Sequence, residues 1–444
     1  MKPEKDLEIN NSEKDQDLMS GAETFLEKLK LRSSDIDLDN LVETFTREMI
    51  TGLSGMGGMR MIPTYIEAEN DFLKDTPVLA IDAGGTNFRA AILKVTTTGD
   101  VIISDVVNYR MPGLDGVIGS DEFFKTVADY IRPLAEKVNR IGFCFSYPTE
   151  ILPDRDGRLI QFCKEVQAPE VHGQIIGKRL LETLGTPQKT IVLLNDTVAT
   201  LLAGKSASAN QIYDSFIGFI LGTGTNTCYI EQNINILKKP ELKKESSQII
   251  NIESGDYGRP PRTDTDIQFG STTADPGSYK FEKMFSGGYF GSLTLFVLKK
   301  AAKKGLFSAA TAGRINNLPD LQTGDASSFA EGQLSLDHPL NKAVMDSKDA
   351  EMCREIINSL IDRAAKLVAG SMAAVIMKSG KGTFPEKPVL ITVEGTTFYK
   401  LHDFRVLFET YLNEYLGGDR KRYFEFTEVA QSGLVGAALA ALID

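Results

Sequence analysis

The chain has 444 residues, 42% of them hydrophobic and 25% charged, which is the composition of a globular protein with about two or three domains. Its formal net charge of −11 argues against non-specific binding to nucleic acid or to an anionic membrane surface. No apolar run approaches the roughly 18 residues that a membrane-spanning helix requires.

The N-terminal residues and the cysteines bear on where the protein is found. Residues 1–17 are rich in Lys, Glu, Asp and Asn, and they lack the apolar segment of a secretion signal. The four cysteines are widely separated and form no C-x-x-C pair, a pattern typical of reduced thiols, and the three histidines are not clustered. We therefore expect a cytoplasmic protein without a dedicated zinc site.

Periodicity predicts the order of helices and strands. After a loose tail over residues 1–20, apolar residues at helical spacing predict a helix from about residue 22 to residue 51. From residue 77 the pattern changes to short apolar runs typical of buried strands. These runs are 78–81, 141–145 and 191–194. Between the first two, Ser120 is predicted to cap a helix, and the alternation indicates an α/β fold.

A glycine-rich turn joins the first of these strands to a second strand at residues 87–95. Its sequence is Asp82-Ala83-Gly84-Gly85-Thr86-Asn87. Glycines let backbone N–H groups approach a phosphate, and a carboxylate at the strand end could hold Mg²⁺ through water. An ordinary hairpin with a glycine at positive φ explains the same residues. The chain has neither a P-loop nor a Rossmann glycine motif, which excludes those two nucleotide sites.

A second glycine-rich turn repeats this pattern. The apolar strand 216–221 ends in Gly222-Thr223-Gly224-Thr225-Asn226, and the tripeptide Gly-Thr-Asn occurs in both turns. A third strand, 389–393, ends at Glu394-Gly395-Thr396, for which a capped turn is an equally good explanation. The faint repeat predicts two α/β halves that face each other across a cleft.

Between the two turns, the strand 191–194 ends in Asn195 and Asp196. Catalytic groups in open α/β sheets lie at the carboxyl ends of strands, so Asp196 is a candidate general base. It would take the proton of an acceptor hydroxyl while the turns hold nucleotide phosphates. The alternative is an Asx-turn or the N-cap of a helix that starts near Val198.

Other polar residues lie beside apolar segments or turns, as the walls of a sugar pocket require. They are Ser146, Asn226, Glu253 and Glu282. Glu282 could equally be a solvated helix residue. The segment Gly436–Ile443 is predicted to be a helix of small apolar residues that packs tightly against a neighbour.

Together these segments resemble the hexokinases of the eukaryotic, glucokinase-like type, which belong to the actin-like ATPase superfamily. The resemblance rests on motifs that keep the family's order and spacing from about residue 40 onward. The motifs are Leu79–Arg89, Gly142–Pro148, Cys163-Lys164, Leu194–Val198, Leu221–Glu231, Asn251–Glu253, Pro276–Gly287 and Val393–Thr396.

The resemblance implies a fold of two actin-like (ribonuclease H-like) α/β domains facing a central cleft. The small domain would comprise residues 72–196, completed by a C-terminal helix at 433–444, and the large domain residues 1–71 and 197–432. The implied partners are a hexose, with glucose first, and ATP with Mg²⁺. We expect no nucleic acid or membrane partner, and a monomer or homodimer.

The resemblance also implies roles for individual residues. Asp196 would take the proton from the 6-hydroxyl of the hexose. The hexose would be bound by Ser146, Cys163, Lys164, Asn195, Asp196, Asn226, Glu253 and Glu282. The phosphates and Mg²⁺ would face Asp82, Gly84, Gly85, Thr86, Asn87, Arg89 and Thr223, with Asp82 holding the metal through water. The adenosine would lie near Gly395, Thr396 and Gly433.

Several positions depart from the family pattern. The family usually has Thr, Trp and Asp where this chain has Cys163, Ser254 and Glu394. A glycine-rich run with a basic residue near the C-terminus is replaced by Ser432–Gly436. These departures put the sugar preference and the nucleotide affinity in question, but not the reaction class.

The sequence leaves several functions open beside a glucose kinase. They are a kinase for another hexose or a hexosamine, a sugar sensor with little turnover, and an actin-like or chaperone-like ATPase without a small-molecule acceptor. The sugar-binding residues around Asp196 weigh against the last of these, and the intact base weighs against the sensor.

Overall fold

A computed structural model of the chain describes residues 21–67, 70–162, 166–208, 211–332, 335 and 337–443. It is an α/β structure, as predicted, with two large sheets and a small two-stranded one in the described ranges.

The strands, in chain order, are β1 (Ile62–Pro63), β2 (Val78–Gly84), β3 (Asn87–Val95), β4 (Val101–Arg110), β5 (Arg140–Phe145), β6 (Thr149–Ile151), β7 (Gly157–Leu159), β8 (Thr190–Leu194), β9 (Ser215–Leu221), β10 (Thr225–Gln232), β11 (Ser247–Asn251), β12 (Val389–Glu394) and β13 (Phe424–Thr427).

The α-helices are α1 (Gly21–Leu29), α2 (Leu38–Ser54), α3 (Ser120–Ala135), α4 (Ile176–Leu184), α5 (Asp196–Ala207), α6 (Asp264–Gly270), α7 (Phe290–Lys303), α8 (Ala309–Asn317), α9 (Thr323–Glu331), α10 (Pro339–Ala343), α11 (Ser347–Ser379), α12 (Thr396–Lys400), α13 (Phe404–Tyr415) and α14 (Ser432–Leu442).

The five-stranded sheet contains the first predicted turn. Its strand order is β4-β3-β2-β5-β8, with β2 and β3 antiparallel and β5 and β8 parallel to β2. Gly84 pairs with Asn87, so Gly85 and Thr86 form the two-residue turn. Gly85 has φ +59°, a conformation that favours glycine. The parallel strands bring the ends of β2, β5 and β8 to one edge of the sheet.

The six-stranded sheet contains the second turn and repeats the same arrangement. Its order is β1-β11-β10-β9-β12-β13, with β9 and β10 antiparallel and β12 parallel to β9. In each sheet, therefore, the first strand of the hairpin pairs on its other side with a parallel strand. The repeat of Gly-Thr-Asn in the sequence matches this repeat of topology.

Helices α5 and α14 lie between the two sheets. Helix α5 packs against β9 and β12 of the six-stranded sheet, and α14 packs against β2 and β5 of the five-stranded sheet and against α5. Small residues make this approach possible. A Cβ atom on Gly142 would lie 1.8 Å from the carbonyl oxygen of Ala437, and one on Gly436 would lie 2.0 Å from that of Ala199. The predicted tight packing of the C-terminal helix is confirmed, although the helix begins at Ser432.

Two predictions about the first helices are wrong in detail. The helix expected from 22 to 51 is two helices, because Lys30 adopts a left-handed conformation (φ 54°) and Asp37 caps α2 by accepting from the Asn40 N–H at 3.0 Å. Ser120 is the first residue of α3 rather than its cap. Its N–H donates to Glu170 at 2.9 Å, so a side chain distant in sequence satisfies the helix end.

Three further predictions concern the cysteines, membrane-spanning helices and domain boundaries. Cys144, Cys228 and Cys353 are buried free thiols. In the described part of the chain, no helix has both the length and the hydropathy that crossing a membrane demands. The domain boundaries at residues 72 and 196 stay a prediction.

The close contact between α14 and β5 gives a test of the packing. Gly142→Ala should lower the free energy of unfolding by about 1–3 kcal/mol, because the added methyl group would meet backbone rather than a movable side chain. Gly313→Ala in α8 is the matched control: its Cβ would contact nothing within 4 Å, and alanine should stabilise the helix by up to about 1 kcal/mol. Denaturant unfolding of both variants measures the difference, and equal stabilities would contradict the packing described.

Candidate active site

The end of β8 provides the candidate base. Asn195 is the N-cap of α5, and its side chain accepts from the Thr197 N–H at 2.9 Å. Asp196 is the first residue of the helix, and its Oδ1 accepts from the same N–H at 2.7 Å and from the Thr197 hydroxyl at 3.2 Å. The alternative that Asp196 caps a helix near Val198 is therefore wrong, because Asn195 is the cap and the helix starts at Asp196.

The surroundings of Asp196 favour its protonated form. Burial, followed by the charges of Glu394 and Glu253, raises its pKa to about 6, while the hydrogen bonds from Thr197 act in the opposite direction. A carboxylate with a pKa of about 6 is ionised at pH 7 and is a stronger base than an ordinary aspartate. These are the properties that proton acceptance from a hydroxyl requires.

A network of amides and a carboxylate lies beside Asp196. The Nδ2 of Asn226 donates to Asn251 Oδ1 at 2.7 Å, and the Nδ2 of Asn251 donates to Glu253 Oε1 at 2.7 Å. Asn226 Nδ2 also lies 3.4 Å from both Asn195 Oδ1 and Glu253 Oε1. The network joins the end of β8 to β10 and β11: Asn226 contacts Asn195 directly, and Asn251 bridges Asn226 and Glu253.

Asn251 is absent from the predicted set of sugar-binding residues. It is the last residue of β11 and pairs with Cys228 in the sheet, which places it beside Asn226 on the neighbouring strand. The sequence signal that could have found it is its place in the Asn251–Glu253 motif, two residues before Glu253. The sequence alone does not show that Asn251 lies beside Asn226, because this depends on the register between β10 and β11.

Glu253 is held in an unusual backbone conformation. Its φ of +61° is rare for a residue with a side chain, and such strain is concentrated at functional sites. Burial raises the pKa of the Glu253 carboxyl, and the hydrogen bond from Asn251 opposes the rise. The network lines a recess with otherwise largely apolar walls. Those walls include Ile62, Phe145, Tyr147, Ile151, Leu193 and Val198.

Glu282 is fixed to the second glycine-rich turn. It lies in a 3-10 helix, Glu282–Met284, and its Oε2 accepts from the Thr225 N–H at 2.8 Å. Cβ atoms on Gly224 and Gly255 would lie 2.7 Å and 2.9 Å from this oxygen. Glu282 is thus a half-buried residue of a short helix whose carboxylate is held by the backbone of the turn, and not a fully solvated one.

The first glycine-rich turn contains most of the residues that are predicted to face the phosphates and Mg²⁺. Gly85, Thr86, Asn87 and Arg89 are exposed, and Asp82 pairs with Arg89 across the hairpin. Burial raises the pKa of Asp82, and the charge of Arg89 opposes the rise. A Cβ on Gly84 would lie 3.0 Å from that of Ser146, so Ser146 lies against this turn.

Helix α14 begins at the same place. A Cβ on Gly433 would lie 2.8 Å from the carboxyl carbon of Asp82, so the start of the helix lies directly against this carboxylate. The neighbouring residues of the helix, Ser432 and Leu434, are buried.

The second turn is fixed by its carbonyl groups. Gly222 O accepts from the Gly287 N–H and from the Thr397 hydroxyl, both at 2.8 Å, and Thr223 O accepts from the Gly288 N–H at 2.8 Å. Gly395 has φ +122° and lies against Leu221, where a Cβ would be 2.2 Å from the carbonyl oxygen. The second turn and the Gly395 turn therefore lie against each other, and the nucleotide-side roles of Thr223, Gly395 and Thr396 stay a prediction.

Two predicted sugar ligands, Cys163 and Lys164, lie outside the described residues. Among the residues that the structure describes, no group of three or more His, Cys, Asp or Glu could hold a metal ion by itself. Asp82, at the base of an exposed glycine-rich turn, has the chemistry to hold Mg²⁺ through water together with a nucleotide.

Two family models, both described as hexokinase, match this chain over residues 22–206 and 216–443. The chain belongs to the hexokinase family. It is 29% identical to hexokinase-10 of Oryza sativa subsp. japonica over 441 residues, which cover 91% of this chain and 86% of that protein. It is 30% identical to hexokinase-3 of Homo sapiens over 381 residues, which cover 80% of this chain and 40% of that protein.

The fold resembles that of solved hexokinase structures. The structure of hexokinase from Schistosoma mansoni complexed with glucose superposes with a TM-score of 0.76, at 22% identity, over 95% of this chain and 99% of that chain. The predicted fold of two actin-like α/β domains is confirmed. As a hexokinase, the enzyme is a phosphotransferase that transfers a phosphoryl group from ATP to a hexose.

The network predicts a role for Asn251 in this hexokinase. Asn251→Ala removes a hydrogen bond to a carboxylate and a partner of Asn226, so KM for glucose should rise about ten- to a hundredfold. Steady-state kinetics at saturating ATP measures the change.

Asn235→Ala is the control for Asn251→Ala. Asn235 Nδ2 donates to Glu231 Oε1 at the same distance of 2.7 Å, but outside the site, and KM should be unchanged. An unchanged KM in Asn251→Ala as well would remove the network from sugar binding.

Proposed function

We propose that this hexokinase phosphorylates glucose at the 6-hydroxyl, with Asp196 as the general base. The supporting observation is the position of Asp196 at the start of α5, just after β8 and next to the Asn195–Asn226–Asn251–Glu253 network, with a glycine-rich turn on either side of it in the sequence. A pKa of about 6 leaves the carboxylate ionised at neutral pH and able to take the hydroxyl proton.

The sugar would be bound by groups from both sheets. Asn195 follows β8 of the five-stranded sheet, whereas Asn226, Glu253 and Glu282 are held by the six-stranded sheet and its turns. Amides and carboxylates bonded to one another can exchange these partners for the hydroxyl groups of a hexose. Ser146 and Lys164 are proposed as further ligands from the family resemblance alone.

The nucleotide would be bound at the two turns. The exposed turn at residues 84–87, with Arg89, and Thr223 of the second turn would face the phosphates, and Gly395, Thr396 and Gly433 would lie near the adenosine. Asp82 would hold Mg²⁺ through water, and Mg²⁺ neutralises phosphate charge during transfer. A sugar that binds both sides of the cleft would favour closure and exclude water from the nucleotide.

Three further features are proposed with this function. The small domain would comprise residues 72–196 with the C-terminal helix, and the remaining residues would form the large domain. We propose a cytoplasmic enzyme, because the cysteines described are buried free thiols. We also propose that it works as a monomer or homodimer.

The base assignment predicts the effect of Asp196→Asn. The amide keeps the size of the side chain but cannot accept the proton, so kcat should fall by about 10²- to 10⁴-fold while glucose binding is retained. Calorimetry with glucose and ADP release with ATP measure the two quantities. Asp115→Asn, at an exposed aspartate paired with Arg110, should leave both unchanged. Near-wild-type turnover by Asp196→Asn would exclude Asp196 as the base.

The substrate is tested in the wild-type enzyme with a panel of sugars. ADP release should depend on added sugar and be fastest with glucose among glucose, mannose, fructose and glucosamine. A faster reaction with another member of the panel would replace glucose as the proposed substrate. Glucose binding without turnover would show a sensor instead.

A further inference from the structure

The carboxylate of Glu394 occupies a point where three elements meet. It ends β12 of the six-stranded sheet, and its Oε2 accepts a hydrogen bond from the Ser432 hydroxyl in the first turn of α14. The Thr200 hydroxyl on α5 lies 3.1 Å from the same oxygen and 3.3 Å from the Ser432 hydroxyl. Thr200 and Ser432 are buried, whereas Glu394 is exposed.

Thr200 connects this point to the candidate base. Its hydroxyl lies 3.0 Å from the backbone carbonyl oxygen of Asp196, one turn earlier in α5. A single hydroxyl proton can be donated to either Asp196 O or Glu394 Oε2, so the two acceptors share Thr200. On the other side, Gly433 follows Ser432 and lies against the carboxylate of Asp82.

We propose that Glu394 is a positioning residue for phosphoryl transfer: its carboxylate ties the first turns of α5 and α14 to the end of β12 and so fixes Asp196 relative to the nucleotide side of the cleft. The inference rests on the proposed role of Asp196. Because a buried hydroxyl group loses its solvent partners, Ser432 uses Glu394 as its acceptor, while Thr200 shares its proton between Glu394 and the Asp196 carbonyl oxygen. The same carboxylate brings a negative charge near Asp196.

The negative charge of Glu394 distinguishes a positioning role at Asp196 from a purely structural role. Among the described residues, the titratable groups that face Asp196 are Glu394 from β12, Glu253 after β11, and the buried thiols of Cys144 and Cys228. The pKa values of both thiols are raised by burial, so the thiols stay neutral. Glu394 is therefore one of two negative charges that raise the pKa of Asp196, and removing it should lower that pKa.

The test is the pH dependence of kcat/KM for glucose at saturating ATP. In the wild type, activity should rise through a midpoint near pH 6 as Asp196 ionises. Glu394→Gln keeps an acceptor for Ser432 but removes the charge, so the midpoint should fall by about half a pH unit. Glu394→Asp keeps the charge and should hold the wild-type midpoint. Ser432→Ala removes one hydrogen bond but no charge, and should lower kcat about two- to tenfold at an unchanged midpoint.

Glu425→Gln is the control, since Glu425 accepts from the Tyr213 hydroxyl outside the site and its removal should change neither quantity. Thermal unfolding and glucose calorimetry show that each variant is folded. A wild-type midpoint in Glu394→Gln, or an equal shift in Ser432→Ala, would overturn the proposal for Glu394 while leaving the base assignment intact. Full activity of Asp196→Asn in the same assay would overturn both.

Discussion

The close approach of helices α5 and α14 is the constraint on which the cleft depends. Gly436 lies against Ala199, and Gly142 lies against Ala437, so neither helix can move away from the other or from β5 without opening a buried interface. Each helix begins with a residue of the proposed site, Asp196 in α5 and Ser432 in α14. Packing along the helices therefore determines where their first turns meet, and with them the positions of the proposed base and of the end of β12.

The second feature is the concentration of carboxylates at this meeting point. Asp82, Asp196, Glu253 and Glu394 converge on one cleft, and burial raises the pKa of the first three. Hydrogen bonds from Thr197 and Asn251 limit the cost of holding these charges out of water. Such differences in pKa between neighbouring carboxylates suit the proposed reaction. One carboxylate would accept a proton near neutral pH, while others would bind a metal–nucleotide complex or sugar hydroxyl groups.

Much of this arrangement could be predicted from the sequence, because local signals specify it. The two glycine-rich turns follow apolar strands of period and length typical of buried sheets, and Asp196 follows such a strand directly. Asn251 could not be found in this way, since its role depends on pairing between β10 and β11. The cap of α3 by Glu170 is likewise a contact between distant residues. The 33-residue helix α11 gave no clear signal, because apolar residues on several of its faces are buried.

The central claim is that one hexose is held by groups from both sheets, with its 6-hydroxyl at Asp196. The most direct measurement is a crystal structure of the wild-type enzyme with glucose and without nucleotide. We expect a sugar bonded to Asn195, Asn226, Glu253 and Glu282, with the 6-hydroxyl within hydrogen-bonding distance of the Asp196 carboxylate. Glucose bonded to one sheet only, or with another hydroxyl at Asp196, would contradict it.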